Sequence, residues 1–208
     1  MMALPGIETV LVDLESCDMI YYSLITLAIL PQEGRNILFD LCRRVRRAGG
    51  LVAFDSNYRP SLWASASSAR QACGQAMSCC NIGLPTLVDE AMLFGEQDAA
   101  RASAAWKAKG AQEVAVKLGK SGCLVADHIL VPPSARIAAV DTSGAGDAFN
   151  AGYLGARLTG SSPEDAAHAG NRLAGWVAGH AGAIPPIDEA AAYQLPSARA
   201  VSIAKPFQ

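Results

Sequence analysis

Short apolar runs alternate with helical periods along almost all of this 208-residue chain, which restricts it to a layered α/β fold with a mostly parallel sheet. Parallel neighbours need crossovers long enough to hold a helix, and those helices cover both faces of the sheet. Met19-Ile20-Tyr21-Tyr22 and Leu51-Val52-Ala53-Phe54-Asp55 read as buried strands. A helix between them carries Ile37, Leu38, Leu41 and Val45 on one face and ends in Arg43, Arg44, Arg46 and Arg47 before Gly49-Gly50. Downstream, the pattern predicts a helix over Ala66 to Ser78, a strand Ile82-Gly83-Leu84, and a short helix starting after Thr86 and stopping near Gly95. A helix with Trp106 near its end follows, then a strand Glu113 to Lys117. A hairpin is expected from Cys123-Leu124-Val125-Ala126 through Asp127-His128 to Ile129-Leu130-Val131. A strand-like run Arg136 to Val140 and two alanine-rich helices, Asp147 to Leu158 and Pro163 to Gly179, complete the core; the tail after Ser197 reads as loosely ordered.

At 51% hydrophobic residues the chain can bury the core of one α/β domain. A net charge of −2 and a pI near 5.9 give no general attraction to nucleic acid or to anionic membranes, so the expected partner is a small molecule. The four arginines before Gly49 suit the carbonyl end of a helix dipole and read as a solvated helix end. Cys17, Cys42, Cys73, Cys79, Cys80 and Cys123 form no C-x-x-C pair and no zinc-ligand spacing with His128, His168 or His180; they read as reduced core residues. Met1 to Pro5 has no charged region followed by an apolar core, and Met19 to Leu30 is too short to span a bilayer, so a cytoplasmic location is expected.

Chemistry concentrates at Asp141-Thr142-Ser143-Gly144-Ala145-Gly146-Asp147, which opens an amphipathic helix near Ala148. Gly144, Ala145 and Gly146 leave backbone N–H groups bare at a helix N-terminus, where unpaired donors and the helix dipole favour an anion. A carboxylate there, Asp147, makes physical sense as the base that takes a proton from a hydroxyl attacking a bound phosphoryl group.

This segment closely resembles the Asp-Thr-x-Gly-Ala-Gly-Asp signature of the ribokinase-like (PfkB) sugar kinases, and Ala148-Phe149-Asn150-Ala151-Gly152-Tyr153 continues it as that family does. The resemblance implies a three-layer α/β/α sandwich, ATP with Mg2+, and Asp147 as catalytic base beside an anion hole of Gly144, Ala145 and Gly146. Three further segments fall where such a kinase needs them. Asp55-Ser56-Asn57-Tyr58-Arg59-Pro60 follows a buried strand at the carboxyl edge of the sheet, where open α/β sheets bind ligands; read alone, it is equally a surface loop. With Leu62-Trp63 it looks like the Asp-x-Asn-Tyr-Arg-x-x-Leu-Trp segment of 2-keto-3-deoxygluconate kinases, which act on an acidic keto sugar. Arg59 then clamps the substrate carboxylate or the phosphates, with Asn57 and Tyr58 beside ATP. Lys117-Leu118-Gly119-Lys120-Ser121-Gly122 reads either as a connecting turn or as the family's Lys-x-Gly-x-x-Gly segment, whose Lys117, Gly119 and Gly122 lie along the nucleotide. The resemblance places Asn171 beside the adenine.

Many family members carry Asn-x-x-Glu for magnesium and phosphate; here Thr86 and Asp89 align with it, a spacing that also suits an ordinary helix cap. The resemblance runs from about Leu4 to Pro186 and matches only the C-terminal portion of the family. No Gly-Gly sugar-binding segment and no lid strands precede Met19, so the expectation is one kinase domain over residues 1–208 lacking its N-terminal part and lid, from a truncated chain or a degenerate gene. A sheet that begins partway leaves an unpaired edge near Met19 to Tyr22 and favours a homo-oligomer. The function implied is ATP-dependent phosphorylation of 2-keto-3-deoxygluconate at its terminal hydroxyl. The alternatives are a fructokinase or other PfkB sugar kinase, or an inactive nucleotide-binding remnant.

Overall fold

The computed structural model describes residues 14, 17–96, 98–133, 137–187, 191 and 192, and the chain divides into two compact units, 1–116 and 117–208. The predicted Arg136, the tail after Ser197 and the N-terminal Met1 to Pro5 lie outside the described residues.

The first unit is built on four strands, β1 (Met19–Ser23), β2 (Leu51–Asp55), β3 (Ile82–Leu84) and β4 (Glu113–Val114), in the order β1-β2-β3-β4. All three pairings are parallel, with Tyr21 opposite Ala53, Phe54 opposite Gly83 and Gly83 opposite Val114. Every residue of β2 is buried, as a central parallel strand covered on both faces must be. The connecting helices are α1 (Leu24–Ile29), α2 (Gln32–Arg47), α3 (Ala66–Cys79), α4 (Leu87–Phe94) and α5 (Ala99–Lys109). The sequence pattern gives no separate α1; it forms because Leu24 and Leu27 are both buried and Thr26 Oγ1 accepts the Ser23 N–H at its start. On α2 the buried face is Phe39, Leu41, Cys42 and Val45, so Leu41 and Val45 lie as predicted while Ile37 is exposed. Phe39 and Cys42 rotate that face away from Ile37. At the end of α2, Arg43 pairs with Asp40, and Arg46 donates to the Ser78 carbonyl at 3.2 Å.

One polar side chain ties the amino ends of the strands together. Asn81 Oδ1 accepts the Val52 N–H at 2.9 Å, its own N–H donates to the Val52 carbonyl at 2.7 Å, and its Nδ2 donates to Gln112 Oε1 at 2.6 Å. Its carbonyl accepts the N–H groups of Gln112 and Glu113. Beneath this clamp, Phe54 stacks on Trp106 with centroids 5.5 Å apart and meets Tyr22 at 5.1 Å. A Cβ at Gly83 would stand 2.4 Å from Cε3 of the fully buried Trp106. Gly83→Ala is therefore expected to lower stability by ~1–3 kcal/mol through overpacking, read as a lower urea midpoint at unchanged slope. An unchanged midpoint would mean that α5 yields freely.

The strand β5 (Val116–Lys117), at the division between the units, joins β6 (Cys123–Val125) and β7 (Ile129–Val131) in a separate three-stranded sheet. The strand predicted over Glu113 to Lys117 is thus two strands. The Ala115 N–H still reaches the Gly83 carbonyl of the parallel sheet at 2.9 Å, and the chain changes sheets at that residue. The hairpin is antiparallel with Val125 opposite Ile129, so its turn has three residues, Ala126-Asp127-His128. Helices α6 (Ala145–Leu158) and α7 (Pro163–Ala178) pack closely: a Cβ at Gly152 would lie 2.8 Å from the Ala169 carbonyl oxygen. Residues 137–140 are not a strand. The N–H groups of Val140 and Asp141 both turn to the Ala178 carbonyl, at 2.8 and 3.3 Å, so that segment caps α7 in place of pairing with a neighbour.

Among the described residues no helix is long and apolar enough to cross a membrane, and no cluster of His, Cys, Asp or Glu could hold a metal ion. All six cysteines are free thiols.

Candidate active site

In the first unit the functional loop leaves the carboxyl end of β2 and is held at both ends by a carboxylate. The Asp55 Oδ1 accepts the Asn57 N–H at 3.2 Å, the Asx turn that bends the chain as the strand ends. Asp89, one turn into α4 and 6% exposed, accepts the Tyr58 N–H at 3.1 Å and the Ser56 hydroxyl at 3.3 Å, both on Oδ2. Ser56 Oγ in turn accepts the Thr86 N–H at 3.0 Å. Thr86 is the N-cap of α4 but makes no side-chain cap bond, so the capping arrangement suggested by Thr86-x-x-Asp89 does not form. Asp89 reaches instead across to the loop after β2. Tyr58 is buried and Asn57 half-buried, while Arg59 is exposed and donates from Nη1 to the Tyr58 carbonyl at 2.9 Å. Pro60 then starts a single 3-10 turn, Pro60–Leu62. Trp63, just beyond, carries the Arg35 guanidinium 4.8 Å above its ring.

In the second unit α6 begins at a glycine in the left-handed region. Gly144, its N-cap, has φ 73°, and a Cβ there would stand 2.4 Å from the Ala183 carbonyl oxygen. A glycine cap offers no side chain to the first turn; the Ala145 N–H turns back to the Thr142 carbonyl at 3.2 Å, and helix geometry gives the next donors, Gly146 and Asp147, no partner within α6. Asp147 lies exposed in that turn. Asp141 shapes the approach: its Oδ1 accepts the Ser143 N–H at 2.8 Å and its Oδ2 the Gly182 N–H at 3.1 Å. Bonding to Ser143, then to Gly182, holds the Asp141 carboxyl below the usual carboxylate range.

Lys117 is buried at the end of β5; its Nζ donates to Asn150 Oδ1 at 3.1 Å and lies 4.0 Å from where a Cβ of Gly146 would be. The Lys117–Gly122 segment is a closed loop, with the Leu118 N–H on the Gly122 carbonyl at 2.8 Å and the Gly122 N–H on the Gly119 carbonyl at 3.0 Å. Gly122 has φ 89°, and a Cβ there would fall 2.1 Å from the Val131 oxygen, so this backbone passes closer to its neighbour than any side chain permits. Asn171 on α7 is buried, and its Nδ2 donates to the carbonyls of Val131 at 2.9 Å and Pro132 at 3.3 Å, bracing the end of the same hairpin.

The residues singled out in the sequence thus gather into two local groups, Asn57, Tyr58, Arg59 and Asp89 in the first unit and Lys117, Gly144, Ala145, Gly146 and Asp147 in the second. Ser56, Asp141 and Asn150 carry bonds within these groups that no sequence signal assigned to them. Each sits inside a quoted motif as a polar residue, Ser56 and Asp141 beside element ends and Asn150 within α6, and that position in a motif is the one cue that could have marked it.

The profile of pfkB family carbohydrate kinases matches residues 5–190. A 2-dehydro-3-deoxygluconokinase from Dickeya dadantii is 40% identical over 88% of this chain and 61% of its own length. One from Escherichia coli K12 is 42% identical over 84% of this chain and 58% of its own. The chain thus spans about three-fifths of the length of these curated relatives. Among solved structures, aminoimidazole riboside kinase from Salmonella enterica, complexed with aminoimidazole riboside and an ATP analogue, superposes with a TM-score of 0.70 at 26% identity, covering 79% of this chain and 57% of the other. Fructokinase from Vibrio cholerae, in its fructose-, ADP- and calcium-bound form, gives 0.69 at 25% identity, covering 79% and 56%.

Proposed function

The chain belongs to the pfkB family of carbohydrate kinases, and from that premise we propose that it serves the ATP-dependent phosphorylation of 2-keto-3-deoxygluconate at its terminal hydroxyl, giving the 6-phosphate. The observation that carries the reading is the start of α6: a left-handed Gly144, main-chain donors in the first turn, and an exposed Asp147 beside them. Two relatives of that activity at 40 and 42% identity support the choice of sugar acid.

In this reading Asp147 is the general base. It accepts the proton of the sugar hydroxyl as that oxygen bonds to the transferring phosphorus and the bond to the leaving oxygen breaks. The backbone of Gly144, Ala145 and Gly146 supports the charge spread over the phosphoryl oxygens, with Gly146 N–H the best placed because that of Ala145 is engaged with Thr142. ATP is assigned to the loop that carries Lys117, Gly119 and Gly122, which Gly122 lets close against Val131 and whose neighbouring hairpin end Asn171 braces; Asn57 and Tyr58 keep the nucleotide role that the family resemblance implies. Mg2+ would enter with the phosphates and supply charge neutralisation there; Asp89 stands at the family's magnesium position, but its Oδ2 is already taken by the Tyr58 N–H and the Ser56 hydroxyl. Buried, reduced thiols suit a cytoplasmic enzyme. We read residues 1–208 as belonging to one kinase domain, with the family match running through both units.

Arg59 is assigned to the sugar-acid carboxylate. Its planar fork makes two parallel charge-assisted bonds that a lysine cannot, so Arg59→Lys should weaken sugar-acid binding by roughly 1.5–3 kcal/mol and leave neutral sugars much less affected. The test is ADP release by the full chain with 2-keto-3-deoxygluconate or fructose as the only acceptor. Turnover that requires the sugar acid, and falls selectively in the lysine variant, is the expected result. Equal use of fructose, with equal loss for both, would favour a fructokinase and place Arg59 on ATP alone. ATP binding with no sugar-dependent turnover would favour the inactive remnant.

A further inference from the structure

Three bonds tie the segment that carries Arg59 to the start of α4. Oδ2 of Asp89 takes both the Ser56 hydroxyl and the Tyr58 N–H, and Ser56 Oγ takes the Thr86 N–H. All four groups belong to buried or half-buried residues: Ser56 is fully buried, Tyr58 is 4% exposed and Asp89 is 6% exposed. Between the two anchored points the chain has only Asn57, itself tied to Asp55 at 3.2 Å. Arg59 is the first exposed residue after the clasp, and its guanidinium leans on the carbonyl of Tyr58, the residue whose N–H the clasp holds.

We propose that Asp89 and Ser56 are positioning residues that set the Arg59 loop for the substrate carboxylate, with Asp89 Oδ2 committed to the loop and not to a magnesium ion. The inference rests on the sugar-acid reading of Arg59. Its physical basis is pre-organisation: a fork that must meet a carboxylate at two points loses affinity when its backbone is free to wander. A buried carboxylate taking two donors is also the arrangement in which losing one partner strands the others.

Asp89→Asn keeps an oxygen able to accept the Tyr58 N–H and the Ser56 hydroxyl, whereas Asp89→Ala removes it, and Ser56→Ala removes the link to Thr86. In the full chain, Asp89→Ala is expected to raise the KM for 2-keto-3-deoxygluconate roughly tenfold with kcat nearly unchanged, Ser56→Ala to act in the same direction more weakly, and Asp89→Asn to recover most of the affinity. The magnesium concentration for half-maximal activity should not move in Asp89→Asn. Amide hydrogen exchange, which needs no activity, should show Tyr58 exchanging at least tenfold faster in Asp89→Ala and near the parent rate in Asp89→Asn. A large rise in the magnesium requirement of Asp89→Asn, or a Tyr58 amide unaffected by Asp89→Ala, would overturn the proposal. If the parent chain neither turns over nor binds the sugar acid, the functional reading of Arg59 fails by itself, and the exchange rates still decide whether Asp89 holds the loop.

Discussion

Replacing Asp147 by asparagine should reduce phosphoryl transfer by ~10²–10⁴ while leaving nucleotide binding near its parent value. The side chain keeps its size and its exposed place in the first turn of α6, and the donors behind it are main-chain groups that the substitution does not touch. What is lost is the carboxylate of that turn, the group assigned to accept the hydroxyl proton. The measurement is single-turnover transfer to 2-keto-3-deoxygluconate beside equilibrium binding of a non-hydrolysable ATP analogue. Unchanged transfer would remove Asp147 from the reaction; a parallel loss of nucleotide binding would mean that its carboxylate organises the helix start and not the chemistry.

A second large effect is expected from a group with no part in that chemistry. Glu90 follows Asp89 on α4, is 1% exposed, and burial pushes its carboxyl up from 4.5 to about 7. The folded protein therefore keeps this proton to about pH 7, whereas the unfolded chain releases it near 4.5. The contribution to stability is complete below pH 4.5 and is lost as the pH rises through 7, amounting to ~3 kcal/mol across that window. Glu90→Gln removes the titration, so the difference in unfolding free energy between variant and parent should swing in favour of the variant by about that amount between pH 5 and pH 8. Denaturant titrations of both proteins across the range provide the check. Parallel curves would show that the folded Glu90 ionises as readily as the unfolded one.

Much of this was legible from the sequence, and the misses have identifiable physical causes. The strands at Met19, Leu51 and Ile82 are short apolar runs bounded by turn residues, and the start of α6 is marked by a glycine that the structure uses at φ 73°. The Glu113 to Lys117 stretch carries no mark of a change of sheet, because both sheets ask the same of a buried strand. Residues 137–140 have strand-like composition, yet the amides that follow turn to the end of a helix, a choice made by the position of Ala178. Within the site, the pattern at Thr86 and Asp89 was visible but its partner was not: Ser56 lies 33 positions earlier in the chain. Asn171 similarly acts on carbonyls about 40 residues away, a distance over which periodicity says nothing.

The clamp at Asn81 has a consequence for how such a domain can be altered. Parallel strands of two to five residues hold little register information of their own, and Asn81 supplies it at the end of the sheet away from Arg59. Alignment of the strands is thereby uncoupled from the sequence of the loops at the other end. A library that randomises Asn57, Arg59 and the residues after Pro60 should yield mostly folded members with varied acceptors, whereas one that changes Asn81 should yield few folded proteins of any specificity. Adaptability to new substrates, on this view, depends on an amide that never meets one.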